Sequence, residues 1–543
     1  MVKQNKMKLN LGSGKDYVLG WVNVDVDTQN KVDVIANLNN RFPFKESSVD
    51  EIKAADILEH FTKEDGEKFL KECHRVLKPD GVISIRTHNI YQIFEQFRDD
   101  PKVLAYFLYG GTSQTGVFGS HKYGYSRDSL IHVLKKVGFE IVSFNNEETN
   151  FLVIAKKIKQ KSKKLNVGII MQSPDIGGAE VYMLSLMECF KRKGDEVYLA
   201  SNREKFLDKA SEISSKTYEI PVIMDIIGDY KGLLKTIILL PFSFIFYLNL
   251  LRTFKKDKVD VILMSNFSEK LFVSLLSRLF AIPVVWIEYG RLGPIFKKNF
   301  YLPKIIYRLA KNVPKKIIVP SRNTMESLIT DARVSLSKLE LVPLGVKPGV
   351  SKKNSVNRKW GDKFIIGSVS RLTREKGQEY LIRAMPLVLT QIPNARLLIA
   401  GDGPDRKYYE DIISSLNLNT KVTLSGFVED LNSYYDSMDL FVFPTVWDLE
   451  GFGLVLVEAM FHKLPVIATK IGPVDEIVDD GRSGILVNSK NVIDLADRII
   501  ELAKDSARRD SFAKAGYEKA KNKYSLEKSA NHVLDILYDA TIT

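Results

Sequence analysis

Short apolar runs alternate with longer amphipathic stretches along most of this chain. Strands buried on both faces and covered by helices leave this pattern. LNVGIIM (Leu165 to Met171), FIIGSVS (from Phe364) and LFVFPT (Leu440 to Thr445) read as such strands. Their alternation with helical segments predicts an α/β protein with mainly parallel sheets. Three times the pattern restarts with a strand, a glycine-containing loop and a helix, near Lys8, Leu165 and Phe364. Two polar segments separate the restarts. KKIKQKSKK, Lys156 to Lys164, carries six lysines in nine residues, and Lys347 to Lys363 is rich in Gly, Asn and Lys. The reading is three Rossmann-like domains: 1–157, a basic linker 158–164, then 165–348 and 349–543. Each has an ordinary domain size.

One stretch departs from the alternation. TIILLPFSFIFYLNLL, Thr236 to Leu251, is apolar nearly throughout, is interrupted by Pro241, and is flanked by Lys231, Lys235, Arg252, Lys255 and Lys256. Its sixteen residues fall short of the roughly 20 that span a bilayer. Two readings remain: a buried core helix, or an interfacial helix anchored by its basic flanks.

Composition narrows the class. With 45% hydrophobic and 27% charged residues the chain is globular, not disordered. The first strand begins almost at once, which leaves no room for a signal peptide. Only Cys73 and Cys189 are present, so neither a disulfide scaffold nor a zinc site is implied, and a reducing cytoplasm is expected. The net charge of +13 is concentrated. Residues 158–349 hold 31 basic and 18 acidic side chains, against 22 and 21 before them and 26 and 27 after. A localised basic surface points to an anionic partner such as lipid headgroups.

In the first block, KLNLGSGKD runs a strand into Gly12-Ser13-Gly14, where a ligand can lie against the backbone at the carboxyl edge of the sheet. The dinucleotide fingerprint needs a glycine at position 17, which is Tyr17, so a pyrophosphate cofactor is disfavoured. The next strand, WVNVDVD, ends in Asp25 and Asp27, and a carboxylate at that tip can accept both hydroxyls of a ribose. LNLGSG, GWVNVD, LEHF, RVLKPDG and GFE together resemble the class I S-adenosylmethionine-dependent methyltransferases, especially small ones of surface-polysaccharide gene clusters. The resemblance implies that Gly12 and Gly14 contact the methyl donor and that Asp25 meets its ribose. Asn37 replaces an acidic residue often found on the adenine side. Methyl transfer to a hydroxyl needs a base, and His121 in GSHKYGYS is the candidate, beside Tyr123 and Tyr125. His60, in LEH, reads as structural or donor-facing.

The last block carries the sharpest chemistry. EGFGLVLVE, Glu450 to Glu458, sits between the strand LFVFPT and a helix closed by Pro465. Gly451 and Gly453 expose backbone amides at a helix start, a seat for phosphate. Carboxylates on either side suit sugar and ribose hydroxyls, although a plainly capped helix leaves the same local pattern. Arg371 and Lys376, after the strand FIIGSVS, can converge on one diphosphate, and Gly177-Gly178 open the first helix of the middle block. The order GGAE, RLTREKG, AGDGPD, GFVED and EGFGLVLVEAM resembles the family 4 retaining glycosyltransferases of GT-B fold. It implies that Arg371 and Lys376 hold the diphosphate and Glu450 meets the donor sugar. Gly451, Phe452 and Gly453 would offer amides, Glu458 would bind the ribose, and Gly178 would close from the other domain. The histidine usual after IPVVWIEYG is missing. Tyr289 stands there, with Glu288 beside it.

Together these readings imply a bifunctional enzyme: a class I methyltransferase fold followed by a two-domain GT-B fold. It would use S-adenosylmethionine and a UDP- or GDP-linked sugar, with fixed cations in place of a metal ion. The acceptor would be a glycan or lipid-linked glycan in surface-polysaccharide synthesis, and the protein would lie peripherally on the inner face of the membrane. Two rivals stand beside this: a non-catalytic first block that only positions the transferase, and an RNA-directed methyltransferase. The second needs excess basic charge on the first block, whose charges nearly cancel.

Overall fold

The computed structural model describes residues 6–27, 29–109, 121–157, 164–172, 176–202, 205–221, 224–228, 230–349 and 361–542. Most of the basic linker, residues 158–163, and residues 350–360 of the second polar segment lie outside the described residues. The contacts divide the chain into two compact units, Met1–Lys163 and Lys164–Thr543.

Unit 1 is built on seven strands: β1 (Lys8–Leu11), β2 (Val22–Asp25), β3 (Val34–Ile35), β4 (Val49–Ala55), β5 (Leu77–His88), β6 (Phe139–Glu147) and β7 (Asn150–Lys157). Their order is β3-β2-β1-β4-β5-β7-β6. β1 to β5 pair in parallel, whereas β7 lies antiparallel to both β5 and β6. The departure from a parallel sheet follows from the short link between β6 and β7, which turns at Glu148 with φ +49° and so makes a hairpin. Local chemistry sets the helix ends. Thr62 caps helix Lys63–Val76 by accepting from the Asp65 amide, and Gly138, at φ +103°, closes helix Arg127–Val137. Leu9, Leu11, Ile52, Phe69 and Leu134 are fully or almost fully buried in the core between these helices and the sheet.

Unit 2 contains two all-parallel sheets. The first has β8 (Asn166–Ile170), β9 (Glu196–Ser201), β10 (Lys216–Glu219), β11 (Val261–Met264), β12 (Val284–Ile287), β13 (Lys316–Val319) and β14 (Leu339–Leu341) in the order β10-β9-β8-β11-β12-β13-β14. The second has β15 (Phe364–Val369), β16 (Ala395–Ala400), β17 (Val422–Gly426), β18 (Leu440–Phe443), β19 (Val466–Thr469) and β20 (Ile485–Val487) in the order β17-β16-β15-β18-β19-β20. The strands are almost wholly buried apolar residues, as sheets covered on both faces require. One apolar cluster, from Val167 and Leu186 to Phe441 and Val457, joins the two sheets across their seam. The last helix, Leu526–Ile542, returns to the first sheet, where Ser529 bonds the Tyr182 hydroxyl at 2.7 Å and the Pro343 carbonyl at 2.8 Å.

In all three sheets the first strand is central, with the chain turning to one side of it and then to the other. That switch point opens a crevice at the strand's carboxyl end. Gly12–Gly14, Gly177–Gly178 and Arg371 each follow such a strand.

The long apolar segment forms a 27-residue helix, Tyr230–Lys256, that continues through Pro241. A buried core helix describes only its second half, where Tyr247, Leu250, Leu251 and Phe254 pack inward. In the first half the buried stripe is Thr236 and Ser243, while Leu234, Ile237, Ile238, Leu240, Phe242, Phe244 and Ile245 are exposed. Pro241 is exposed too, so the Ile237 carbonyl it leaves unpaired can bond water. By length and composition this helix is apolar enough to cross a membrane.

Candidate functional site

In unit 2 the loop after β15 is held by backbone packing. Leu372 donates from its amide to the Asp402 carbonyl at 2.9 Å. A Cβ on Gly401 would lie 1.9 Å from the Ser370 carbonyl oxygen, and one on Gly403 2.4 Å from that of Leu372. The glycines of AGDGPD are therefore needed where two loops touch backbone to backbone, and this aims Arg371, which is exposed, out of the sheet edge. Gly377, at φ +70°, presses against the Pro444 carbonyl, where its Cβ would come within 2.0 Å. The Val446 amide donates to Glu375 at 2.9 Å. These contacts fix Lys376 to the end of β18.

There Lys376 Nζ meets Glu450 Oε2 at 2.7 Å and lies 4.8 Å above the Trp447 ring. Both side chains are largely removed from water, 17% and 10% exposed. Neighbouring Gly451 packs so closely on the other domain that a Cβ would sit 1.9 Å from the Tyr289 carbonyl oxygen. Gly453, at φ +94°, opens helix Leu454–Phe461. The amides of Gly451, Phe452 and Gly453 donate to no protein acceptor among the described residues. Phe452 itself is buried, its ring edge-on to Tyr524, so its backbone is all it offers a ligand. Opposite, Gly178 approaches Leu454: a Cβ there would be 3.4 Å from Cδ1. Gly177 is a different case. Its amide donates to Glu180 Oε2 at 2.9 Å as part of a helix cap and is not open to phosphate.

Glu458 lies one turn into the helix, on a cavity of about 200 Å³ lined by Tyr182, Ser185, Gly345, Tyr435 and His462. It accepts from the Tyr435 hydroxyl at 2.7 Å, and burial pushes its carboxyl up from the usual range. His462 continues the network, 2.8 Å from Asp436 and 3.1 Å from Asn432. Glu288, one candidate for the missing histidine's place, points inward. It pairs with Lys270 at 2.7 Å and accepts from Tyr307 at 2.9 Å, all three buried. Glu269 beside them is 2% exposed with Oε2 unbonded, and burial raises its carboxyl to about 7. Tyr289 lies at the domain seam with its ring edge on Tyr182 and its hydroxyl buried without a partner. This buried charge cluster had no signal in the sequence beyond Glu288 itself, because its members come from separate strands and helices.

In unit 1, Gly12 has φ +65° and Gly14 φ +48°. A Cβ on Gly12 would meet Ile57 Cδ1 at 2.4 Å, while the side of Gly14 is open. Asp25 does more than the sequence suggested. Oδ2 accepts from the Gly14 amide at 2.8 Å and Oδ1 from Val26 and Asp27, so the carboxylate braces the glycine loop. Oδ2 keeps a lone pair for a hydroxyl. Ser13 Oγ is buried without a partner. An unused hydroxyl, an open glycine face and a half-exposed carboxylate fit an adenosyl donor at this edge.

His121 is held by two bonds of its own and one from its neighbour. Its amide donates to Tyr109 at 3.1 Å, Nδ1 lies 2.8 Å from the Phe107 carbonyl, and the Lys122 amide reaches Glu59 at 2.8 Å. Residues 119 and 120 of GSHKYGYS lie outside the described residues. The His60 ring lies 5.0 Å from that of His121, and the His88 ring lies 4.6 Å from that of His121. Sequence reasoning missed His88, the last residue of β5, because only the fold brings it to this edge.

Comparison with known proteins agrees with this fold. Residues 176–349 match the family model Glycosyltransferase Family 4, residues 350–519 match Glycosyl transferases group 1, and residues 16–85 match Methyltransferase domain. The Staphylococcus aureus capsular polysaccharide biosynthesis glycosyltransferase CapM is 26% identical over 63% of this chain and 90% of its own. The alpha-monoglucosyldiacylglycerol synthase of Acholeplasma laidlawii is 25% identical over 60% of this chain and 85% of its own. Among solved structures, Anabaena HepE in complex with UDP and glucose superposes with a TM-score of 0.57 at 21% identity, covering 69% of this chain and 99% of its own. The chain belongs to the family 4 glycosyltransferases of GT-B fold, with a methyltransferase-family domain joined ahead of the transferase.

Proposed function

We propose that unit 2 transfers a glycosyl group, with retention, from a UDP- or GDP-linked sugar to a membrane-held glycan acceptor. In the same reading unit 1 methylates a sugar hydroxyl, and the product is a methylated surface glycan. One observation carries the transfer reading. At the mouth of the seam, Lys376 and Glu450 neutralise each other while Arg371 and three unused amides stand nearby. A diphosphate entering here would take the lysine and the amides. The carboxylate thus released would meet the sugar hydroxyls. As the leaving group departs, charge grows on its phosphate oxygens, and Arg371, Lys376 and the helix start would meet it. These fixed cations would serve without a metal ion. Glu458 and its cavity suit the ribose and base. HepE, which shares this fold, was solved with UDP, and CapM and the Acholeplasma synthase are named for a polysaccharide and a lipid product.

The exposed apolar half of helix Tyr230–Lys256 supports peripheral binding to the inner face of the membrane. Its second half is fixed in the domain core, so the helix would lie in the interface, with Lys231 and Lys235 toward anionic headgroups. In unit 1, S-adenosylmethionine when bound would supply an electrophilic methyl group. Gly12 and Gly14 would let it lie against the loop, Asp25 would orient its ribose, and His121 would take the acceptor proton.

Screening nucleotide sugars for hydrolysis and thermal stabilisation tests the transfer reading. One donor should raise the melting temperature, and Glu450→Ala and Arg371→Ala should each cut turnover about 10²–10³-fold. Equal turnover in both variants would refute these roles. Calorimetry with S-adenosylmethionine tests unit 1. Absence of binding would leave it a scaffold that positions the transferase.

A further inference from the structure

Unit 1 gathers four titratable side chains outside the donor loop. Glu59 and His60 follow β4 in the short turn Leu58–His60, His88 ends β5, and His121 comes from the segment before helix Arg127–Val137. β1, β4 and β5 are adjacent and parallel, so these residues share the edge that carries Gly12–Gly14. Ligand atoms of Glu59, His60 and His121 all lie within 4.8 Å of one another. His88 Nε2 lies 3.9 Å from Glu59 Oε1.

Three further features distinguish this cluster from a chance meeting of polar groups. Glu59 is 1% exposed, yet only Oε2 is bonded, to Thr87 at 2.8 Å, and Oε1 has no hydrogen-bond partner. A buried carboxylate oxygen left unbonded is costly unless it takes up a proton or a cation meets it. The His121 ring carries the outer hydrogen bond that metal-bound imidazoles commonly have. Nδ1 faces the Phe107 carbonyl at 2.8 Å, so with Nδ1–H donating there Nε2 carries the lone pair. Finally, two amides, of Lys122 and Tyr123, bond the Glu59 carbonyl, tying the segment that carries His121 to the turn that carries the other two donors.

We propose that unit 1 binds one divalent transition-metal ion through Glu59, His60 and His121, with His88 against the carboxylate as a positioning residue. Two imidazoles and one carboxylate favour zinc, iron, cobalt or manganese over calcium and magnesium, which prefer all-oxygen sets. Donors about 2.1 Å from an ion stand about 3.0–3.4 Å apart, so side-chain rotations must draw the set together by up to about 1.8 Å. Three protein ligands leave positions open, as in catalytic rather than structural sites. On the reading of unit 1 as a methyltransferase, an acceptor oxygen would fill one of them and lose its proton more readily to water, and His121 would then act by holding the ion instead of taking that proton itself.

Cobalt(II) titration of chelator-treated full-length protein, followed by its visible absorption, tests this. One equivalent should bind with d–d bands, and zinc should displace it. His121→Ala and Glu59→Gln should each weaken binding at least tenfold, whereas His132→Ala, on a neighbouring helix, should not. Should His121→Ala unfold the unit, Glu59→Gln, which retains a partner for Thr87, decides alone. No stoichiometric binding, or equal binding in all variants, overturns the site. Methyl-donor calorimetry on the same samples separates the two ideas. Metal binding without donor binding sustains this site and sinks the methyltransferase reading, and donor binding without metal binding does the reverse.

Discussion

Each unit of this chain places its chemistry where a central first strand ends, but they build the site from opposite materials. In unit 2 the site is made of fixed charge and free backbone: Arg371, Lys376 paired with Glu450, and three amides with no protein acceptor among the described residues. In unit 1 the glycine loop's amides are already taken. Gly12 donates to the Val24 carbonyl at 2.8 Å and Gly14 to Asp25. What remains is a face shaped by positive φ and a cluster of imidazoles nearby. A diphosphate needs amides and cations that wait for it, whereas a cationic methyl donor needs space and a carboxylate. On the proposed function the same topology would serve both, and the loop's free hydrogen-bond donors would tell them apart.

The largest effect expected tests the first half of that contrast. Arg371→Ala and Glu450→Ala should each lower kcat for glycosyl transfer about 10²–10³-fold, or roughly 3–4 kcal/mol, as loss of a preorganised charge contact does. Neither should change the heat of methyl-donor binding to unit 1. Lys376→Met leaves Glu450 without its cation at 8% exposure, so Lys376→Met with Glu450→Gln should cost less than the sum of the two single changes. Additive losses would mean that the pair does not act as a unit.

Next comes the buried carboxyl of Glu269, raised by burial from 4.5 to about 7. Below pH 4.5 folded and unfolded chains both hold the proton. Between pH 4.5 and 7 the unfolded chain releases it while the folded one keeps it, so stability falls as pH rises through that window and levels off above it. The span corresponds to about 3 kcal/mol. Glu269→Gln should therefore raise the unit 2 denaturation midpoint at pH 8 and leave it nearly unchanged at pH 4.5. An equal gain at both values would show that Glu269 does not titrate in the folded protein.

The contrast between the sites also explains what the sequence made legible. EGFGLVLVE and RLTREKG are readable because a strand, its loop and the next helix start are contiguous, so a phosphate seat occupies a few neighbouring residues. Glu288, Lys270 and Tyr307 are not readable, since their pairing exists only after β12 and two helices pack together. His88 is hidden for the same reason, and Gly177 looks like any helix-start glycine in the sequence because the Glu180 cap that occupies its amide is a matter of geometry. The antiparallel β7 was missed as well. A buried edge hairpin has the same apolar run as a parallel strand, and only the short turn at Glu148 separates them.

A smaller effect bears on the basic half of unit 2. Ile238→Asp with Ile245→Asp, both on the exposed apolar stretch, should lower partition into vesicles containing anionic lipid at least tenfold, or about 1.4 kcal/mol. Hydrolysis of the nucleotide sugar should stay unchanged. Raised salt should weaken the wild type as well, because Lys231 and Lys235 lie at the start of the same helix. Partition insensitive to both changes would leave the apolar stretch without a membrane role.

The smallest effect separates two glycines that the sequence treats alike. Gly451 and Gly178 both lie where the two domains of unit 2 meet. At Gly451 a Cβ would overlap the Tyr289 carbonyl oxygen at 1.9 Å, backbone against backbone, and neither side can yield without parting the domains. At Gly178 the added carbon would rest 3.4 Å from the methyl of Leu454, an ordinary contact with the end of a flexible side chain, and the position lies within a regular helix start. Gly178→Ala should therefore fold and change the donor KM by no more than a few-fold, since one methyl group in a crevice is worth about 1 kcal/mol. A loss in kcat as large as that of Arg371→Ala would mean that the donor's phosphates lie directly on Gly178. In that case the middle block's glycine turn would contribute a phosphate seat of its own, rather than a wall that closes over the one built by Arg371, Lys376 and the helix at Leu454.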